Sequence, residues 1–179
     1  MTAAPVLETD RLRLRPFRAA DFEAYSAVMA DPGVVRHIGG QPLAREEAWR
    51  RLLCSPGLWA MLGYGYWAVE RKQDGVLLGQ VGLADFKRDM EPSIEGVPEM
   101  GWIFAPYAQG RGYAAEAVAA GLAWADRALA APETVAIIAP GNARSIRLAE
   151  RAGFGARVPA RYHGEEIWLF RRHAPERTG

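Results

Sequence analysis

The chain has a single cysteine, Cys54, in 179 residues, so no internal disulfide can form. Without a Cys/His cluster there is no pattern for a structural zinc site. The simple reading of Cys54 is a buried small hydrophobe rather than a nucleophile. Histidine is equally sparse. His37, His163 and His173 lie far apart with no metal-ligand spacing, so no metal is expected. Lysine is nearly absent, with Lys72 and Lys87 alone among many arginines, as a GC-rich coding sequence produces. The net charge is only +1, which speaks against a strongly basic nucleic-acid face. No apolar run reaches membrane-spanning length, and Met1 to Asp10 lack the basic-then-apolar order of a secretory signal. The expectation is a cytoplasmic protein without nucleic-acid or membrane partners. Internal repeats and linkers are also missing, which predicts one domain over 1–179, with a core at 8–172 and a frayed tail at 173–179.

What is present is alternation of strand and helix signals. Leu12-Arg13-Leu14-Arg15 alternates apolar and basic, as a half-buried strand does, and Pro16 ends it. Phe22, Tyr25 and Val28 or Met29 share a helical face, and Asp31-Pro32-Gly33 turns the chain. Arg45 to Leu53 predicts a second helix with Trp49, Leu52 and Leu53 inward, closed by Ser55-Pro56-Gly57. Tyr66 to Glu70 and Val76 to Phe86 predict a hairpin through Gln73-Asp74-Gly75. Gly79 and Gly82 in its second arm mark a bulge or a close approach. Residues 87–98 read as a loop. Glu99 to Phe104 is the next strand, with Met100, Trp102 and Phe104 on one face and Glu99, Gly101 and Ile103 on the other. Tyr113 to about Ala130 is a long Ala-rich helix built for close packing on a sheet. Thr134 to Ala139, Ala143 to about Ala152, Phe154 to about Val158 and Glu165 to Phe170 complete the order β-α-α-β-β-β-α-β-α-β-β. That order predicts a mixed-sheet α/β fold with a parallel βαβ unit around residues 99–139.

The most informative stretch is Gln109-Gly110-Arg111-Gly112-Tyr113-Ala114, between that strand and the long helix. A helix N-terminus presents free backbone N–H groups and a positive dipole end, which suit a phosphate. Two glycines in three positions let the backbone come close to the ligand. The Lys-Ser/Thr ending of a nucleotide-hydrolase loop is missing. Gly110, Gly112 and Ala115 also fit a dinucleotide fingerprint, with Glu133 near the acidic position, but Pro106 to Gln109 intervene where that fingerprint needs a tight turn.

With these blocks in place, the chain resembles the GNAT superfamily of acyl-CoA N-acyltransferases, and within it the branch of ribosomal-protein alanine N-acetyltransferases. The likeness is carried by Leu7-Glu8-Thr9-Asp10-Arg11-Leu12-Arg13-Leu14-Arg15, Tyr66-Trp67-Ala68-Val69 and Leu78-Gly79-Gln80-Val81-Gly82-Leu83. It continues through Gln109 to Ala117 and through Asn142-Ala143-Arg144-Ser145 to Phe154, in that order and spacing. The resemblance implies a GNAT fold and direct transfer of an acetyl group from acetyl-CoA to a primary amine, on a protein N-terminus or a small molecule. It implies that the coenzyme diphosphate sits on Gln109, Gly110, Arg111, Gly112, Tyr113 and Ala114, and that the thioester lies along Met100, Trp102, Ile103 and Phe104. Asn142 would meet the pantetheine arm and Ser145 the thiol, although Asn142 also suits a helix N-cap. Glu99 is the candidate base, with Glu95, Glu91 and Asp85 as substitutes. The tyrosine acid common in this superfamily is missing from Ile146 to Ala152, which leaves Ser145 or water. A homodimer is a further implication of the resemblance. Trp59, Tyr64 and Tyr66 read as core packing before acceptor lining. The rival reading is a non-catalytic acyl-CoA binder with the same fold.

Overall fold

A computed structural model describes residues 4–175. In chain order the elements are β1 (Leu7–Glu8), β2 (Leu12–Arg15), α1 (Phe22–Met29), α2 (Pro32–Val35), α3 (Arg45–Leu62), β3 (Tyr66–Arg71), β4 (Leu77–Ala84) and β5 (Met90–Glu91). They continue with β6 (Glu99–Phe104), α4 (Tyr113–Ala128), β7 (Glu133–Ile138), α5 (Ala143–Arg151), β8 (Val158–Tyr162) and β9 (Glu165–His173). The strands form one mixed sheet in the order β1-β2-β3-β4-β6-β7-β9-β8-β5. All neighbours are antiparallel except β6 and β7, which are parallel and joined through α4. This is the mixed α/β architecture read from the sequence, with helices on both faces of a central sheet.

One face is covered by α4 and α5. Ala117, Val118, Leu122 and Ala125 pack there with Met100, Phe104, Ala136 and Phe170. The small residues of α4 let it lie close: a Cβ on Gly121 would stand 3.3 Å from the Met100 Cε. Trp59, Trp67 and Trp124 close this core as three edge-to-face rings with centroids 4.8–5.2 Å apart. The other face is covered by α1, α2 and the first half of α3, with Tyr25, Met29, Val35, Ala48 and Leu52 against Ala68, Leu77 and Ile103. A third cluster lies under the β8–β9 hairpin, around Met90, Ile94, Val135 and Leu169.

Several expected boundaries are corrected. α3 does not stop at Ser55-Pro56-Gly57 but runs to Leu62 with Pro56 inside it. An interior proline costs a helix about 3 kcal/mol; the buried stripe Ala48, Leu52, Ser55 and Trp59 holds this one together. That stripe turns Leu53 outward, 50% exposed, and leaves Cys54 exposed as well. Asp31 turns the chain by capping a short helix, accepting from the N–H groups of Gly33 (2.8 Å) and Val34 (3.1 Å). Loop 87–98 contains the two-residue β5, which pairs with β8. Phe154 is buried ahead of the strand expected to begin with it, and β8 starts only at Val158. β9 continues to His173, opposite Glu133, so the expected tail is ordered at its start, while 176–179 lie outside the described residues.

The two glycines of β4 mark both a bulge and close approaches. Register slips between Val69 and Glu70, opposite Gly79. A Cβ on Gly79 would stand 2.1 Å from the Ile103 carbonyl oxygen, and one on Gly82 2.4 Å from that of Gly65.

Arg15 departs from simple alternation: it is buried, 4% exposed. Its guanidinium donates to both Asp21 oxygens (2.8 Å each) and to Glu70 Oε2 (2.7 Å). Burial pushes the Asp21 carboxyl up, but the Arg15 guanidinium and the Arg18 N–H outweigh it and hold the group below its ordinary value. A depressed carboxyl contributes stability that is present above its unfolded pKa, about 3.9, and is lost as pH falls through the lower folded value. Asp21→Asn is therefore expected to cost about 3 kcal/mol at neutral pH, by leaving a buried guanidinium underpaired. The difference from wild type should begin to shrink below about pH 4, where the unfolded chain takes up the proton, and disappear only below the lower pKa of folded Asp21. Urea unfolding at several pH values measures both effects.

Candidate active site

β6 and β7 meet at one register pair, Glu99 opposite Val135, beside a hydrogen bond from the Val135 N–H to the Pro98 carbonyl (3.0 Å). Beyond that pair they part. Each is fully paired on its outer side, β6 with β4 from Glu99 to Phe104 and β7 with β9 from Glu133 to Ile138. Peptide groups in a strand point alternately to its two edges. Because Pro98 faces β7 and the Ala105 N–H bonds the Leu78 carbonyl, the peptide groups of Trp102 and Phe104 and the carbonyl of Met100 face the opening, while the Met100 N–H completes the closed pair with Val135. Ile103, expected among the cofactor contacts, has its peptide turned to β4 and its side chain in the core on the α1–α3 face.

The opening leads to the glycine-rich turn. Gly110 and Gly112 take positive φ (74° and 79°), and Gln109, Gly110, Arg111 and Gly112 are exposed. No side chain caps α4. The first bond at its N-terminal end runs from the Glu116 N–H to the Gly112 carbonyl (3.1 Å), which leaves the N–H groups of Tyr113, Ala114 and Ala115 directed out of the helix end. Gln109 folds back: its Nε2 donates to the Phe104 carbonyl (3.1 Å) and its Oε1 accepts from Arg144 of α5 (2.7 Å). The turn is thereby tied to both walls of the opening.

Across the opening, Asn142 Oδ1 accepts the Ser145 N–H (3.2 Å), the expected N-cap of α5. Ser145 Oγ in turn accepts the indole N–H of Trp102 (3.2 Å). That bond leaves the hydroxyl proton of Ser145 free to be donated elsewhere. Trp102, Asn142 and Ser145, remote in sequence, thus converge on the α4–α5 face.

Glu99 lies at the closed end of the opening and points to the opposite face. It is buried, 5% exposed, although it begins a strand. Both oxygens are held by Arg88, Nε to Oε2 at 2.6 Å and Nη2 to Oε1 at 2.9 Å. The guanidinium lies over the rings of Phe86 (5.0 Å) and Tyr162 (4.9 Å). Nearby, the Tyr66 hydroxyl rests on Gly101, where a Cβ would stand 2.2 Å from it. Burial, with the Glu99 charge second, pushes the Tyr66 phenol well above its ordinary value and keeps it protonated. Of the substitute carboxylates, Asp85 is committed to Lys87 (2.7 Å) and to the Gly96 N–H (3.1 Å), Glu95 pairs with Lys87 (3.3 Å), and Glu91 is exposed in β5. Trp59 packs in the core, its indole donating to the Tyr66 carbonyl (3.1 Å).

The roles of Arg88, Arg144 and the Tyr66 hydroxyl escaped sequence reading. Each reaches the site through a contact eleven or more positions away in the chain. The one local hint was an aromatic-basic run, Phe86-Lys87-Arg88, where the strand read to Phe86 passes into the stretch read as loop. Among the described residues, no group of three or more His, Cys, Asp or Glu side chains is placed to hold a metal, and no helix is long and apolar enough to cross a membrane.

The family profile described as acetyltransferase (GNAT) domain matches residues 11–155. YkkB of Bacillus subtilis (strain 168) is 30% identical over 175 residues, which cover 96% of this chain and 98% of the relative. The solved acetyltransferase from Agrobacterium tumefaciens str. C58 is 33% identical with a TM-score of 0.81, over 96% of this chain and 95% of that one. The spermidine N-acetyltransferase from Vibrio cholerae, solved with CoA and spermine, is 17% identical with a TM-score of 0.70, over 93% of this chain and 97% of that one. At that identity the likeness is one of fold.

The contact between Tyr66 and Gly101 gives a direct check on the site's geometry. Gly101→Ala should destabilise the protein by about 1–3 kcal/mol through overpacking. Adding Tyr66→Phe, which removes the oxygen nearest the new methyl, should recover part of that loss in a thermal melt.

Proposed function

The chain belongs to the GNAT acetyltransferase family, and from that premise we propose that it transfers an acetyl group from acetyl-CoA directly to a primary amine. The observation that carries the reading is the opening between β6 and β7, lined by the Met100 carbonyl and the peptide groups of Trp102 and Phe104 and ending at the uncapped N-terminus of α4. The N–H groups from Gly110 to Ala115 suit a diphosphate, each anion–helix-end contact contributing about 0.3–2 kcal/mol, so several act together. The amides of a pantetheine arm suit the peptide edge of β6 as a missing strand would.

In the transfer, the amine nitrogen bonds to the thioester carbon, the C–S bond breaks, the amine gives up a proton to the base, and the sulfur leaves as a thiolate that takes a proton from water. At pH 7 freeing the neutral amine costs about 1.4 kcal/mol for an α-amine of pKa ~8 and about 4.6 for a lysine of pKa ~10.4. Holding amine and thioester in line contributes up to about 7–11 kcal/mol, so positioning outweighs the base. Glu99 is the base, directly or through water. A carboxylate has about four acceptor sites, and Arg88 uses two of them, so one remains on each oxygen. On the opposite face Ser145, whose oxygen already accepts from Trp102, donates its proton to the departing thiolate as a hydrogen bond. The two groups flank the opening from its two sides, so amine entry and thiol departure do not compete. The acceptor class rests on kinship: the resemblance to ribosomal-protein N-acetyltransferases supports a protein N-terminus, with small-molecule amines as the other class.

Thiol release from acetyl-CoA with a panel of N-terminal peptides and small amines tests the proposal. Turnover with at least one acceptor is expected. Glu99→Gln should lower kcat about 10²-fold and Ser145→Ala by a comparable factor, each with little change in acetyl-CoA affinity. Acetyl-CoA binding without turnover on any amine would identify a non-catalytic binder instead.

A further inference from the structure

The turn between β1 and β2, Thr9-Asp10-Arg11, has no part in the chemistry above, yet it reaches about a hundred residues along the chain to the glycine-rich turn. Thr9 Oγ1 lies 2.6 Å from Glu116 Oε1, which also accepts the Arg11 backbone N–H (3.0 Å). Arg11 Nε donates to Glu116 Oε2 (2.7 Å), and its Nη2 lies 2.6 Å from the same oxygen. Arg11 Nη1 donates to the Arg111 carbonyl (3.0 Å). The guanidinium lies 4.6 Å from the centre of the Tyr113 ring, and a Cβ on Gly112 would stand 3.3 Å from Nη2. One arginine therefore touches Arg111, Gly112, Tyr113 and Glu116, the residues around the start of α4.

Two problems at this helix end are met by these contacts. The first is restraint. Gly110 and Gly112 have positive φ, no side chain caps α4, and glycine-rich backbone has many conformations to lose when a ligand orders it. The second is charge. Glu116 sits within the first turn, where a free carboxylate would repel a diphosphate. Burial pushes the Glu116 carboxyl up, but the Thr9 hydroxyl and the Arg11 N–H and guanidinium outweigh it, so the group stays ionised and matched by Arg11.

We infer that Arg11, held by Thr9 and Glu116, is a positioning residue for the coenzyme: it fixes the Gly110–Gly112 turn before binding and cancels the carboxylate behind it. The inference rests on the diphosphate reading of that turn. Arg11 is half-exposed, 47% by side chain, so its ion pair contributes little to overall stability. Its effect falls on affinity, through a cradle already in its bound shape.

Calorimetric titration of acetyl-CoA into wild type, Arg11→Ala and Arg11→Lys, with steady-state kinetics, tests this. Arg11→Ala should weaken binding about tenfold and raise KM for acetyl-CoA more than it lowers kcat. Arg11→Lys keeps the charge but cannot reach Glu116 and the Arg111 carbonyl together with a planar fork, so it should remain several-fold weaker than wild type. Without ligand, amide hydrogen exchange over residues 110–115 should be faster in Arg11→Ala than in wild type. Equal affinity and equal exchange in wild type and Arg11→Ala would overturn the inference while leaving the diphosphate reading intact. Wild-type affinity in Arg11→Lys would reduce the role to charge alone and overturn positioning. Failure of wild type itself to bind acetyl-CoA would overturn the diphosphate reading, and this inference with it.

Discussion

Two parallel strands that touch at Glu99 and Val135 and then separate set the terms for everything else in this fold. Buried peptide groups need partners. The outer edges of β6 and β7 are fully paired with β4 and β9, so the inner edge of β6 offers its N–H and C=O groups to whatever enters. α4 leaves from the same end and adds the free N–H groups of its first turn. An extended chain of amides ending in a diphosphate meets both features at once.

Holding such an opening in a single sheet requires closure on both faces, and the two faces are closed differently. On one, α4 and α5 pack through alanines and a three-tryptophan cluster, and Trp102, Asn142 and Ser145 are drawn to the rim. On the other, two separate apolar clusters leave a polar strip between them, occupied by Glu99, Arg88 and the Tyr66 hydroxyl. The buried carboxylate is tolerated there because Arg88 pairs both its oxygens and is itself covered by Phe86 and Tyr162. Gly101 exists to let Tyr66 lie across the strand, as Gly79 and Gly82 let neighbouring backbones close on β4. The site is thus made of close approaches, and glycine in β4 and β6 makes them.

Much of this was legible in the chain. The alternation of Met100, Trp102 and Phe104 with Glu99, Gly101 and Ile103 assigned the two faces, because a strand has period two whatever it packs against. Gly110-Arg111-Gly112 before an Ala-rich run located the free helix end, because glycine and helix start are local properties. Asn142 as a cap was equally local. What escaped depends on tertiary contacts. Pro56 reads as a helix end until the burial of Leu52, Ser55 and Trp59 outweighs it, and the same stripe reverses Leu53 and Cys54. Arg15 reads as solvated until Asp21 and Glu70 are seen on either side of it. Phe154 reads as a strand start, but it buries its ring beneath α5 after a tight turn at Gly153. Arg88 gave only the faint hint of an aromatic-basic run, because its partner Glu99 lies in β6 and not beside it in the chain, and Arg11 looked like one more basic residue in an alternating run.

Amide hydrogen exchange of the wild-type protein with and without coenzyme A tests the central claim most directly. Filling the opening should slow exchange at Trp102 and Phe104 and at Gly110 to Ala115, whereas the Met100 N–H, already held at the Glu99–Val135 pair, should change little. Gly101 and Ile103, whose N–H groups are already bonded to β4, should change far less. Saturating coenzyme that leaves these amides untouched, or that protects Gly101 and Ile103 as much as their neighbours, would contradict the claim that the ligand lies along the free edge of β6.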